Sequence, residues 1–129
     1  MEIEIFDKTK KFNKIEIARL KKFIELFADK AKIKGYLSVS FVNKLEIGKL
    51  NFKYRKIKKT TDVLSFSASN NKEGIFGDII ICPEIAKEKE NSITDLIKHG
   101  VYHLMGYSHH SKEQKRKWNK IEKKYLYIN

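Results

Sequence analysis

GDIIICP, residues 77–83, is the stretch that decides how this chain of 129 residues folds. Its β-branched isoleucines favour a strand, and a continuous apolar run, in place of alternation, predicts burial on both faces. Pro83 has a backbone φ that suits the first turn of a helix, so we expect a short helix to follow the strand directly. A sheet strand next to a helix indicates a protein that mixes both element types.

The flanking segments predict three more strands and four more helices. Apolar and polar residues alternate over Met1–Phe6, over Leu37–Val42 and from Asp62 onward, as in strands. Helical spacing and capping residues predict four helices. The first covers about 13–34 with Gly35 as the stop, and the second runs from Asn43, with Glu46 as its capping-box partner, to about Tyr54. The third runs from Ser92 or Thr94 to Gly106, and the fourth from Ser111 through Trp118 and Leu126. We therefore predict one α+β domain over residues 1–129, with a sheet of about four strands and surrounding helices.

The charge balance points to an anionic partner. The chain has 28 Lys and Arg against 16 Asp and Glu, a net charge of +12. Such a charge favours RNA or DNA first and an anionic membrane surface second. Only Arg19, Arg55 and Arg116 are arginines, and lysine is abundant together with isoleucine and asparagine. Part of the charge can therefore be compositional and lie on an ordinary solvated surface.

Other features bound the cellular setting. The apolar runs are too short to cross a bilayer, and the first residues, MEIEIFDKTK, lack the apolar core of a signal peptide. We expect a cytoplasmic protein without a membrane association. The single cysteine, Cys82, has no partner for an internal disulfide and is expected to be a small buried apolar residue.

The four histidines all lie within HGVYHLMGYSHH, residues 99–110. His99 and His103 are four apart and so share one face of a helix. Gly106 can take a positive φ and turn the chain back, which brings His109 toward the same point. Three neutral imidazoles around one ion leave a position for water, the layout of a catalytic zinc site at the C-terminal end of a helix.

Two other interpretations of the histidines stay open. Histidines near a helix C-terminus can be favoured by the helix dipole alone. His110 can replace His109 as a ligand, although we expect it to point the opposite way and to be exposed. In the zincin proteases a glutamate follows the first histidine, and here that position is Gly100, which argues against a protease.

Three blocks of the sequence resemble the YbeY family of bacterial metal-dependent endoribonucleases. HGVYHLMGYSH resembles the family signature H-G-x-L-H-L-x-G-Y-D-H, and LNFKYRKIKKTTDVLSFS resembles its L-N-x-x-Y-R … P-T-D-V-L-S-F-P block. GDIIICP resembles its G-D-I-x-I strand. The blocks have the family's order and spacing over Leu50–His109.

The resemblance implies a fold, a cofactor and a substrate. The implied fold is a mixed sheet of four strands with helices around it. The implied cofactor is one zinc ion per chain, held by His99, His103 and His109. The implied activity is cleavage of single-stranded RNA in 16S ribosomal RNA 3′-end maturation and in ribosome quality control, with ribosomal RNA and the small ribosomal subunit as partners. Arg55 is implied as a residue needed for activity.

The chain departs from the family pattern at four positions. Tyr102 replaces a leucine, and Thr60 and Ser67 replace two prolines, changes that we expect to affect only packing and loop stiffness. Ser108 stands where the family has aspartate. A serine is a weaker acceptor for a histidine N–H and does not transfer protons near neutral pH. This departure bears on the rate of catalysis and leaves the metal ligands in place.

A basic segment precedes the third strand. Arg55 lies among four lysines, Lys53, Lys56, Lys58 and Lys59. The arginine fork can grip two phosphate oxygens, whereas lysine acts as a point charge, so residues alone leave Arg55 open as a phosphate ligand or a surface residue. The lysines are predicted to follow the RNA backbone. Phe52 and Tyr54 either pack the helix, the commoner role, or stack on bases.

Two other classes of function remain as alternatives. The first is a ribosome-associated RNA-binding assembly factor with little or no cleavage activity, which the charge and Ser108 both suit. The second is a metal-dependent hydrolase of another anionic substrate. The sequence is silent on oligomeric state.

Overall fold

In a computed structural model of the chain, the residues described are 1–68 and 74–106. They form four strands and four helices that alternate through much of the chain. In chain order these are β1 (Glu2–Asp7), α1 (Lys14–Lys30), β2 (Gly35–Phe41), α2 (Lys44–Arg55), β3 (Val63–Ser67), β4 (Ile75–Ile81), α3 (Pro83–Glu88) and α4 (Ile93–Leu104).

The strands form one mixed sheet in the order β1-β2-β4-β3. Strand β2 pairs parallel with β1 and with β4, and β3 pairs antiparallel with β4. Parallel neighbours need a crossover connection, which α1 supplies between β1 and β2. The predicted α+β class and mixed sheet of four strands are confirmed. The predicted domain over residues 1–129 extends beyond the described residues and stays a prediction.

The sheet is covered on both faces, as the isoleucine run of β4 predicted. Ile79 and Ile81 are fully buried in the larger core, which also contains residues of α1 and α4 such as Phe27 and Ile97. Ile80 points the other way and packs against a second core formed by residues of α2, α3 and the strand ends, namely Val42, Ile47, Leu64, Cys82 and Ile85. Helices α1 and α4 therefore cover one face and α2 covers the other, while α3 contributes Ala86 to the larger core and Ile85 to the second. Cys82 is buried as expected.

The end of α1 differs from the prediction. The helix ends at Lys30 and not near Lys34, because Lys32 takes a left-handed conformation (φ 55°) and turns the chain into β2. Gly35 is the first residue of β2 and not a helix stop. A Cβ added at Gly35 would lie 1.9 Å from the carbonyl oxygen of Ile75. Glycine is needed there because the strand backbones approach closely at a positive φ.

The predicted caps are found with one change. The Asn43 side chain accepts a hydrogen bond from the Glu46 backbone N–H at 2.9 Å. The Glu46 carboxylate binds Lys8 at 3.0 Å, so the reciprocal half of the predicted capping box is replaced by an ion pair. Ser92, and not Thr94, caps α4. The predicted helix from Ser111 lies outside the described residues. No helix within the described ranges is long and apolar enough to cross a membrane.

Candidate metal centre

Helix α4 carries the first two predicted metal ligands. Its apolar side, including Leu96, Ile97 and Val101, is buried against the sheet. His99 is half-buried and His103 is exposed. The two histidines therefore lie at the border of the core, where the backbone is fixed by packing and the rings remain within reach of a ligand.

The two imidazoles converge on one point. Their Nε2 atoms are 2.9 Å apart, and the ring centroids are 4.5 Å apart with the planes nearly perpendicular at 83°. Two neutral rings at this distance can share one N–H···N hydrogen bond, in which one ring donates and the other accepts. His99 and His103 thus lie on one helix face as predicted, with their Nε2 atoms next to each other.

The same pair has the span needed to bind a transition metal. Zinc–imidazole bonds of about 2.0–2.1 Å place two ligand nitrogens about 2.9 Å apart at a right angle and about 3.3 Å apart at the tetrahedral angle. The observed separation of 2.9 Å lies at the lower end of this span. This separation is compatible with both nitrogens binding one ion, so the residues present fit the predicted zinc.

The remaining ligand stays a prediction. Within residues 1–68 and 74–106, no group of three or more histidine, cysteine or carboxylate side chains is placed to hold a metal. Helix α4 ends at Leu104, and Gly106 takes the expected positive φ of 87°. His109, together with Ser108 and His110, lies outside the described residues.

Gly100 lets α4 approach the sheet, a role that sequence reasoning missed. A Cβ at this position would lie 2.6 Å from Cδ1 of Ile79 and 3.1 Å from Oγ of Ser65. Both distances are shorter than ordinary van der Waals contact. The backbone of α4 therefore sits directly on β3 and β4 beside His99. The sequence signal was a glycine in the interior of a predicted helix, which costs stability and so indicates a packing reason.

Arg55 reaches the strand under the histidines from the other face of the sheet. It is the last residue of α2, and its guanidinium Nη2 donates a long hydrogen bond of 3.4 Å to the carbonyl oxygen of Ser65. Ser65 belongs to the edge strand β3, and its side chain faces Gly100. Ser65 therefore links the arginine to the histidine helix, another contact that sequence reasoning did not find.

The predicted basic segment folds back on α2. Lys56 ends the helix in a left-handed conformation (φ 59°). The buried Asn51 side chain donates a hydrogen bond of 2.8 Å to the carbonyl oxygen of Lys59. The side chains of Lys53, Lys56, Lys58 and Lys59 are all exposed. Asn51, a polar residue on the buried face of its helix, thus ties the backbone of the segment after Arg55 back to α2 at Lys59.

Three of the four departures from the family pattern lie within the described residues. Tyr102 is fully buried in the larger core and its ring lies 5.3 Å from that of His103. Thr60 and Ser67 are exposed, one before β3 and the other at its end. The Nε2 atoms of His99 and His103 lie 2.9 Å apart with these three residues in place.

The sequence matches one protein family and several of its members. Residues 2–128 match the family described as Endoribonuclease YbeY. An Endoribonuclease YbeY of Staphylococcus carnosus is 43% identical, with the match covering 57% of this chain and 58% of that protein. One of Buchnera aphidicola subsp. Schizaphis graminum is 31% identical, covering 81% of this chain and 73% of that protein. The chain therefore spans roughly three fifths to three quarters of these relatives.

A solved structure has a similar fold. The solution structure of TM1509 from Thermotoga maritima superposes with a TM-score of 0.61 at 30% sequence identity. The superposition covers 96% of this chain and 89% of that chain. The overall fold is therefore shared with a protein whose structure was determined experimentally.

Proposed function

The chain belongs to the Endoribonuclease YbeY family, and we propose that it is a metal-dependent endoribonuclease that cleaves single-stranded RNA. The observation that supports this most is the convergence of the His99 and His103 Nε2 atoms to 2.9 Å at the border of the core. Arg55 and the exposed lysines add a basic surface next to β3, the strand against which the histidine helix α4 lies at Gly100. A pair of candidate metal ligands next to a basic surface favours a phosphodiester substrate.

The finer parts of the proposal extend from the family resemblance. We propose one zinc ion per chain on His99, His103 and His109. The proposed substrate is ribosomal RNA of the small ribosomal subunit, cleaved during 16S 3′-end maturation and ribosome quality control in the cytoplasm. The net charge of +12 supports an RNA partner, since a basic surface raises the association rate with a polyanion.

The protein's own residues supply binding and charge stabilisation. When bound, zinc would supply Lewis-acid chemistry and make a nucleophile available at neutral pH. The Arg55 guanidinium would bind two oxygens of the scissile phosphate and stabilise the negative charge that develops there. Its long 3.4 Å bond to Ser65 is weak, so the guanidinium can turn toward phosphate at little cost. Lysines 56, 58 and 59 would hold the flanking phosphates.

Metal removal tests the proposal directly. We expect the zinc-loaded protein to cleave a single-stranded RNA. Chelation of the metal should lower the cleavage rate by at least about 100-fold, and addition of zinc should restore it. The measurement is single-turnover cleavage followed on a gel, with double-stranded RNA as the resistant control. RNA binding without any metal-dependent product would contradict the nuclease proposal and favour the RNA-binding assembly factor. A 2′,3′-cyclic phosphate end would identify the 2′-OH as the attacking group.

Substitution of Arg55 separates phosphate stabilisation from metal binding. We expect Arg55→Ala to lower single-turnover cleavage by about 10²–10³-fold, the range for loss of one positioned donor, with zinc content unchanged. Arg55→Lys should recover only part of the rate, because a lysine cannot bind two oxygens at once. Arg19→Ala, which removes the same charge from the exposed face of α1, is the matched control. Loss of zinc from Arg55→Ala would instead indicate a structural role.

A further inference from the structure

Phe52 presents an aromatic ring to solvent on α2. The residue is 46% exposed, and within the described part of the chain its ring contacts no other aromatic ring. Tyr54, two residues on, is also exposed but packs edge-on against Phe66 with ring centroids 5.2 Å apart. The two aromatic residues therefore differ, because Tyr54 is engaged by β3 and Phe52 is not.

Two lysine cations lie close to the Phe52 ring. The Nζ atoms of Lys56 and Lys58 lie 6.0 Å and 5.7 Å from the centroid of the Phe52 ring. Residues 47–61 contain no acidic residue and carry six cations: Lys49, Lys53, Arg55, Lys56, Lys58 and Lys59. Among the residues that the structure describes, none of these six forms an ion pair with a carboxylate. The charges are thus available to an external anion.

Backbone contacts hold the two lysines around the ring. The left-handed turn at Lys56 reverses the chain, and the Lys56 N–H donates to the carbonyl oxygen of Phe52 at 3.0 Å. The Asn51 side chain then holds Lys59 at 2.8 Å. The lysines therefore return along the helix end instead of extending away from it, and they flank Phe52 as a consequence of the fold.

We propose that Phe52 stacks on a nucleobase of the bound strand while Lys56 and Lys58 bind its adjacent phosphates, an inference that rests on the proposed RNA substrate. An exposed ring with lysine cations close to it matches single-stranded nucleic acid, which offers an aromatic base and a phosphate at every nucleotide. Phe52 and Arg55 are three residues apart and are neighbours on the helix surface. The stacked base therefore flanks the phosphate that Arg55 holds, and Phe52 acts as a positioning residue for cleavage.

Binding to two oligomers tests the stacking. Fluorescence anisotropy is measured in EDTA with a labelled oligouridylate and with an abasic oligomer of equal length, so both probes carry the same phosphates and no metal-dependent cleavage occurs. We expect Phe52→Leu to bind oligouridylate about ten-fold more weakly and the abasic oligomer as the wild type does. Phe52→Trp should retain or improve binding. Leu45→Ala, at an apolar position of the same helix that is 68% exposed, is the matched control.

The outcomes separate this inference from the proposed function. If Phe52→Leu binds oligouridylate like the wild type, or binds both oligomers more weakly to the same extent, Phe52 does not stack on a base. That result would leave the nuclease proposal untouched, because metal-dependent cleavage by the wild type is measured separately. If the wild type binds neither oligomer, the RNA substrate itself is wrong. If base-dependent binding through Phe52 is found without metal-dependent cleavage, the stacking stands and the nuclease proposal fails.

Discussion

Replacement of both His99 and His103 by alanine is expected to remove zinc from the protein and to lower RNA cleavage to the level of the chelated wild type. Structural zinc sites with four protein ligands bind with about 10–16 kcal/mol, or about 3 kcal/mol for each ligand, and we apply this value per ligand to the proposed three-histidine site. Loss of two ligands should therefore weaken zinc binding by about 10⁴-fold. The measurement is zinc content of the purified protein by elemental analysis, together with the single-turnover cleavage rate.

Controls separate ligand loss from unfolding. His103 is exposed and His99 is half-buried, so alanine at both positions leaves the core of α4 intact. The circular dichroism spectrum should therefore be unchanged. His110→Ala should keep its zinc, because we predict this residue to point away from the ion. A double variant that still holds one zinc per chain would show that the ligands lie elsewhere.

Gly100→Val is expected to lower the free energy of unfolding by about 3 kcal/mol, at the upper end of the range for an overfilled core. The added atoms would enter space held by Ile79, which is fully buried, and by Ser65. The gain in helix propensity over glycine is below about 1 kcal/mol and does not offset this. Urea denaturation measures the change. Stability equal to the wild type would show that α4 can shift without cost.

A second substitution tests the contact itself. Ile79→Val removes Cδ1, the atom that would lie 2.6 Å from a Cβ at residue 100. On its own this change should cost about 1 kcal/mol. Combined with Gly100→Ala, the pair should be about 1 kcal/mol more stable than the sum of the single effects, since the nearest atom that the new methyl meets is removed and only the contacts with Cγ1 of residue 79 and Oγ of Ser65 remain. Strict additivity would place the clash elsewhere.

The elements were predictable where one local signal decided them. The isoleucine run of β4 predicted burial on both faces, and Ile79 and Ile80 indeed pack on opposite sides of the sheet. Asn43 was predicted as a cap, and Ser92 as one of two candidate caps with Thr94, because such side chains bond to nearby backbone N–H groups. The pairing of His99 with His103 followed from helical spacing alone, and their Nε2 atoms meet at 2.9 Å.

Contacts between distant segments were not predictable in this way. The approach of Gly35 to Ile75 depends on the parallel pairing of β2 and β4, which no local pattern encodes. The bond from Arg55 to Ser65 joins two faces of the sheet around an edge strand. The left-handed Lys32 follows the end of α1 without a glycine at that point, so the usual composition signal for a helix end was missing there, whereas the end of α2 was predicted to within about one residue.

The strand order also sets when the sheet can form. Strand β4 lies between β2 and β3, yet it is the last of the four in the chain. Before residues 75–81 are synthesised, only β1 and β2 are available to each other, and a two-stranded ribbon is marginally stable at best. Long-range parallel pairing also makes folding slow. On a translating ribosome the first half of the protein therefore waits for β4, and α4 with its two histidines docks only after that strand is in place.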